Sequence, residues 1–279
     1  MPVDVNHKSD FHPAGPLPRL RAPAAQLTAA IDAAVISLNE KEYLKGRGSV
    51  AIADSPVAGK RIGASYIGAE CGRELAYRYH RTPKEERGEK YVSDGELRRH
   101  GLSGFWTERS MAEWLREAGF DLRTHDTGGN QFGYRVAQDK DGKARIAGEV
   151  DGVIVSVPQG IELPTPCIWE SKKATEKKFS QFVKGGVAKA DPKYYGQVQV
   201  NMASLGVEHT LFSMLCLDNM KPYWELIEFD APVAQALIDR AVAVLQTRQP
   251  EDMPRAAAAR DFHICRFCDY KNRCWEGKS

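Results

Sequence analysis

Two short segments carry residues whose types and spacing could do chemistry together. Residues 168–173 read IWESKK, and residues 148–152 read GEVDG. On an extended chain, residues i and i+2 point to the same face, so Glu170 and Lys172 aim a carboxylate and an ammonium at one spot. Asp151 lies in an otherwise apolar run directly before Gly152, and a buried acid without a partner is costly. If the two segments pair across the PQGIELPTP loop, Asp151 approaches Glu170, and adjacent carboxylates repel unless a cation lies between them. Mg²⁺ or Mn²⁺ takes oxygen ligands of this kind, with waters and substrate phosphate oxygens filling the remaining positions. The chemistry would be metal-assisted hydrolysis: Asp151 and Glu170 hold the ion, the backbone carbonyl of Ser171 adds an oxygen, and Lys172 orients the attacking water. The same residues also fit a plain Glu170–Lys172 salt bridge with Asp151 as a turn residue.

A second candidate centre is made of cysteines. Cys71, Cys167 and Cys216 stand apart, whereas Cys265, Cys268 and Cys274 crowd together near the C-terminus. The C-x-x-C pair on a short turn lets two thiolates face one metal, and Cys274 can join them. One position of a four-ligand site stays open. His263 would complete a zinc site, and Cys71 would complete an all-cysteine iron-sulfur site; spacing leaves both open. Cys167 and Cys216 sit in apolar runs and read as core residues.

The order GEVDG then WESKK resembles the Asp…Glu-x-Lys core of the PD-(D/E)XK nuclease superfamily. The stretch YYGQVQVNM, residues 194–202, is similar to the helix that RecB-like members write as Gln-x-x-x-Tyr. Gln197 matches its glutamine, and Asn201 stands where the tyrosine is expected. GFWTERSMAEWL resembles the upstream Gly-His-x-x-Glu element, which makes Glu108 a further metal ligand; Phe105 occupies the histidine position, and Glu113 is a weaker substitute for Glu108. CGRELAYRY around Cys71 and CRFCDYKNRC resemble the cysteine segments of the iron-sulfur branch. That branch includes the AddB nuclease domain, CRISPR-associated adaptation nucleases and phage-type RecB-like exonucleases.

The resemblance spans about residues 65–275. It implies a DNA nuclease dependent on Mg²⁺ or Mn²⁺, an exonuclease on single strands or duplex ends, acting in recombination, repair or phage DNA processing alongside proteins of those processes. Asp151, Glu170, Lys172 and Gln197 would be its catalytic set. It also implies a 4Fe-4S cluster on Cys71, Cys265, Cys268 and Cys274, with zinc as the alternative, stapling an N-terminal helix to the C-terminal tail. A catalytically inactive DNA-binding or assembly protein that keeps the fold and cluster is the competing expectation.

These residues need elements to position them. Residues 1–22 read as a disordered or loosely packed tail, 24–39 as a helix and 46–63 as a loop. Residues 65–80 read as one helix with Ile67, Cys71 and Leu75 on an inward stripe, and 104–118 as a second whose apolar members are Trp106, Met111, Trp114 and Leu115. Extended segments follow near 120 and 132, as one strand from 144, and from 167, with TGGN and DKDG as turn signals. A helix over 192–205, strands HTLFSMLCLD and YWELIEF, and a helix over 231–246 complete the order. The seven lysines of residues 172–193, against Glu176 and Asp191, read as a solvated face or as a contact to the DNA backbone.

The predicted fold is α/β with α+β character: a central mixed, mainly antiparallel sheet flanked by helices. The resemblance makes it a restriction-endonuclease-like core over about 104–230, inside one nuclease domain of residues 23–279. The Cys71 helix and residues 260–279 would form the iron-sulfur cap. With 279 residues, 42% of them hydrophobic, the chain can bury a substantial core, while its net charge of +2 is too small to argue for nucleic acid alone. No apolar run approaches the ~18 residues of a membrane span, and the N-terminus lacks the apolar stretch of a secretory signal, so the expectation is a cytoplasmic protein with no membrane partner.

Overall fold

The computed structural model describes residues 61–85, 94–138 and 143–277. The predicted tail, the helix over 24–39, most of the 46–63 loop and the DKDG turn lie outside the described residues.

Two sheets organise the molecule. A small sheet has the order β1 (Ile62–Gly63), β4 (Ala144–Glu149), β3 (Gly133–Gln138). A five-stranded sheet has the order β2 (Asp121–Arg123), β5 (Gly152–Ser156), β6 (Cys167–Ala174), β7 (His209–Cys216), β8 (Pro222–Glu228). Pairing is antiparallel throughout the large sheet except between β6 and β7, which run parallel. The mixed α/β architecture expected from the sequence is therefore present.

The apolar run from 144 is not one strand. It is β4 followed by β5, in different sheets, with Val150 and Asp151 at the crossover. Val150 donates its N–H to the Phe132 carbonyl at 2.9 Å, and Gly152 opens the β5–β6 ladder opposite Trp169. Val150 is buried between exposed Glu149 and half-buried Asp151, and the strand resumes at once in β5, so no loop marks the break.

Strand β6 explains its own sequence. It lies between β5 and β7 and is covered on both faces, so its first half is uniformly apolar rather than alternating. Trp169 packs with Met111, Leu115, Ile154 and Leu211 on one side. On the other, Ile168 and Ala174 pack with Phe179, Phe182, Val198 and Phe212.

Helix α1 (Ala64–Ile67) and helix α2 (Gly72–Tyr79) replace the single helix predicted over 65–80. The cause is the crossing over helix α5 (Pro192–Leu205): a Cβ on Gly68 would come within 2.5 Å of the Lys193 carbonyl oxygen. Backbones this close leave no room for a continuous helix with side chains. Cys71 consequently precedes α2 with extended backbone, φ −103°, half-buried rather than on an inward stripe.

Helix α3 (Asp94–Glu117) is longer than predicted, and its apolar members divide. Met111 and Leu115 are buried, whereas Trp106 and Trp114 are 57% and 53% exposed. One sheet face covers one stripe of a helix, and the two tryptophans fall outside it.

Helix α4 (Glu176–Ala190) was hidden by its lysines. Phe179, Phe182 and Val187 are its buried stripe, while Lys177, Lys184 and Lys189 are exposed, so most of the lysine run is a solvated face. Asp191 caps the next helix, accepting from the Lys193 and Tyr194 N–H groups. Helix α6 (Ala231–Leu245) and the short helices α7 (His263–Arg266) and α8 (Lys271–Glu276) end the described chain. Among the described residues no helix is long and apolar enough to cross a membrane.

Candidate active site and cysteine pocket

The β5–β6 register pairs Gly152 with Trp169, which brings Asp151 level with Glu170. Asp151 Oδ2 accepts the Ser171 N–H at 2.8 Å, tying the acid to the strand beside it. The predicted approach of the two acids is thus the structure's arrangement.

Glu170 is 1% exposed. Its Oε1 accepts from Gln197 Nε2 at 2.7 Å and from Lys172 Nζ in a short hydrogen bond. Asn201 Nδ2 lies 3.5 Å from Oε2. Gln197 and Asn201 are four residues apart on α5 and therefore share the face turned toward β6. The strand backbone is held as well: Ser213 Oγ donates to the Glu170 carbonyl at 3.2 Å and accepts from Trp169 Nε1 at 3.0 Å.

Burial drives the Glu170 carboxyl above its ordinary range, and the charge of Asp151 adds to this; the Lys172 ammonium and the Gln197 amide oppose it. For Lys172 burial works against the charge, but Glu170 and Asp151 together outweigh it and hold the ammonium protonated. Lys172 Nζ also stands 5.2 Å from the Tyr194 ring centroid. Lys178 lies over the same ring at 4.4 Å and bonds Asp191 at 3.0 Å. Two acids, two lysines and one aromatic face thus meet where α4 and α5 cover β6.

Glu108 lies on α3. Helix α3 packs against the Trp169 side of β6, and among the described residues no three His, Cys, Asp or Glu side chains are grouped to hold a metal. Glu113 bonds Arg109 at 3.1 Å on the exposed side of α3. Ser171 directs its side chain away from Glu170, as alternation requires, and its Oγ is buried without a hydrogen-bond partner. Lys173, on that same side, bonds Ser103 of α3.

The sequence reading missed Asn201 as a contact of Glu170 and missed Tyr134 altogether. Tyr134 donates its hydroxyl to Asn201 Oδ1 at 2.9 Å. Asn201 had a usable signal, its spacing of four from Gln197. Tyr134 had none, because it arrives from the other sheet.

Cys71, Cys265, Cys268 and Cys274 line one pocket with Glu74, Tyr77 and Arg255. All four are free, half-buried thiols. His263 is not among the lining residues; its ring lies 3.6 Å from the Glu70 carboxylate. Tyr77 stacks on Tyr270 with centroids 4.9 Å apart, so the α2 segment and the C-terminal segment pack directly. Burial, with the adjacent charge of Glu74, Cys71 and Cys274, pushes the Cys268 thiol up to about 11. Arg73 donates to the Met253 carbonyl at 2.6 Å and reaches Cys274 Sγ at 4.0 Å. Cys167 and Cys216 are fully buried, as expected of core residues.

No protein-family model matches the chain, and no curated protein matches it in sequence. Among solved structures it is similar to an alkaline exonuclease from Laribacter hongkongensis, with 17% identity, a TM-score of 0.41, and coverage of 67% of this chain and 86% of that one. It is similar to a phage-related exonuclease from Haemophilus somnus 129PT, with 13% identity, a TM-score of 0.42, and coverage of 67% and 92%. The protein SSO0001 matches over 91% of this chain and 98% of its own, with 13% identity and a TM-score of 0.46. Likenesses at this level carry no argument about activity.

Proposed function

We propose that this chain is a DNA nuclease dependent on Mg²⁺ or Mn²⁺, hydrolysing phosphodiester bonds at the site formed by Asp151, Glu170, Lys172 and Gln197. The observation that carries the reading is the buried Glu170 carboxylate, level with Asp151, with Gln197 and Lys172 both bonded to its Oε1. Two facing carboxylates are a donor set suited to a hard cation, and Asp151 and Glu170 would hold it. When bound, such an ion supplies Lewis-acid polarisation of a phosphate and activation of water.

The protein's own residues do the rest. Gln197 and Lys172 favour the ionised form of Glu170 against burial. The Lys172 ammonium, kept charged by its two acids, orients the nucleophile and offsets negative charge developing on the phosphate. The exposed Lys177, Lys184, Lys189 and Lys193 border α4 and α5 and would contact the DNA backbone. Exonuclease action on single strands or duplex ends, a cytoplasmic location and a role in recombination, repair or phage DNA processing follow from the sequence resemblance and belong to the proposal.

We assign the cysteine pocket to a 4Fe-4S cluster, with Cys71 rather than His263 completing the set. Four cysteines lining one pocket, with His263 outside it, support an all-cysteine centre.

The test is cleavage of end-labelled single-stranded, duplex and circular DNA with Mn²⁺. Lys172→Ala should cut at least about 100-fold more slowly; an unchanged rate would sink the catalytic assignment. Phe105 and Asn201, which stand where the resembled motifs carry histidine and tyrosine, motivate the second reading, a DNA-binding protein without cleavage. That reading predicts salt-sensitive DNA binding and no cut product with either metal.

A further inference from the structure

The two oxygens of Glu170 are held differently. Oε1 accepts from both Gln197 and Lys172, which leaves it little capacity for another partner. Oε2 has the Asn201 amide nitrogen at 3.5 Å, the outer limit of a hydrogen bond, and so keeps lone pairs available. An amide can present either its NH₂ or its oxygen to a neighbour, and only the NH₂ is compatible with a carboxylate. The ionised carboxylate can only accept, so the NH₂ faces Oε2 and Asn201 Oδ1 is left to accept the Tyr134 hydroxyl at 2.9 Å; that hydroxyl, which also bonds the Ser204 side chain, holds the amide in this setting. All three groups are buried, where an amide set the wrong way is costly because no water relieves it.

Tyr134 reaches this position across β4. It pairs in register with Gly148, and a Cβ on Gly148 would stand 2.5 Å from the Tyr134 hydroxyl oxygen. The small sheet therefore contributes to a site otherwise built from the large one, and the first residue of GEVDG is glycine because the phenol lies over it.

We propose that Tyr134 and Asn201 are positioning residues for Glu170: the Tyr134 hydroxyl fixes the Asn201 amide, and the amide fixes the direction in which Oε2 is offered to a cation shared with Asp151. The proposal rests on the metal-site reading above. It adds a Tyr134–Asn201 relay that acts through the carboxylate and touches neither substrate nor ion.

The test is calorimetric titration of the full chain with Mn²⁺ alone, with thermal unfolding as a control for packing. Asn201→Leu should weaken Mn²⁺ binding on the order of 10-fold, as loss of an outer contact to a metal ligand does. Tyr134→Phe keeps the ring and should weaken binding several-fold, about 3-fold or more, within the effect of Asn201→Leu. The double variant should bind no more weakly than Asn201→Leu, because the phenol acts only through the amide. Gly148→Ala, which displaces the hydroxyl, should resemble Tyr134→Phe.

Wild-type affinity in Asn201→Leu, additive losses in the double variant, or a lowered unfolding midpoint with unchanged Mn²⁺ affinity would each overturn the relay. Asp151→Asn separates this from failure of the metal site itself. If Asp151→Asn binds Mn²⁺ as the wild type does, or the wild type binds none, both readings fall. If Asp151→Asn abolishes binding while Asn201→Leu leaves it intact, the relay alone is wrong.

Discussion

At Glu170, side chains from two strands and a helix meet inside the five-stranded sheet, whereas Cys71, Cys265, Cys268 and Cys274 meet at a pocket between short segments from distant parts of the chain. The carboxylate is held by Gln197 and Lys172 with no ligand present. The cysteines are free thiols whose segments include α7 and α8, of four and six residues, too short to be stable helices by themselves. The contrast separates a carboxylate fixed by its scaffold, though still disfavoured as an ion by burial, from thiols carried on segments with little helical stability of their own.

The largest expected effect breaks the first half of the comparison. Glu170→Gln keeps the shape of the side chain and removes the charge that burial disfavours. Cleavage should fall by at least about 100-fold, and stability at neutral pH should also fall, because the partly buried Lys172 ammonium loses its nearest counter-charge. A cleavage assay beside chemical denaturation checks it, and an unchanged cleavage rate would remove the carboxylate from the reaction.

The second tests the pocket. Cys71→Ala should release a closure that spans nearly two hundred residues. Loop-entropy arithmetic limits that closure to about 5 kcal/mol, a fall in unfolding midpoint on the order of 10 °C. Absorption near 400 nm in anaerobically purified protein should disappear with it. A colourless wild type holding one zinc per chain would replace the cluster by zinc.

The third is a pH dependence of the metal-free protein. The folded Glu170 carboxyl is raised above its ordinary 4.5 by burial. Its contribution to stability is therefore fully present below 4.5 and is lost as pH rises through the folded value. Urea midpoints should fall over that window in the wild type and less so in Glu170→Gln; parallel curves would refute the assignment.

The smallest effect concerns the solvated lysines. Lys184→Gln should leave folding unchanged and weaken DNA binding about equally for all sequences, reducing the salt slope by about 1. An unaltered slope would remove α4 from the DNA path.

Much of the candidate site was legible because its signals are local. Glu170 and Lys172 share a face by strand alternation, and Gln197 lies on a helix whose bounds the sequence predicted. The three C-terminal cysteines were legible from spacing, and Cys71 as their fourth only from the family resemblance. Other features were not. The lysines of α4 obscured Phe179, Phe182 and Val187. The sheet switch at Val150 and Asp151 takes only two residues, too few to read as a loop. Trp106 and Trp114 looked like core and are exposed, since hydrophobic identity does not say which stripe a sheet will cover.

The sequence by itself determined which residues could share a face and which thiols could share a turn, because strand and helix periods are properties of the local backbone. Only the tertiary structure decided that Tyr134 reaches Asn201 and that Cys71 rather than His263 lines the cysteine pocket. Those outcomes depend on strand register and on how each helix seats against a sheet. Both are set by packing among distant segments, which no local spacing encodes.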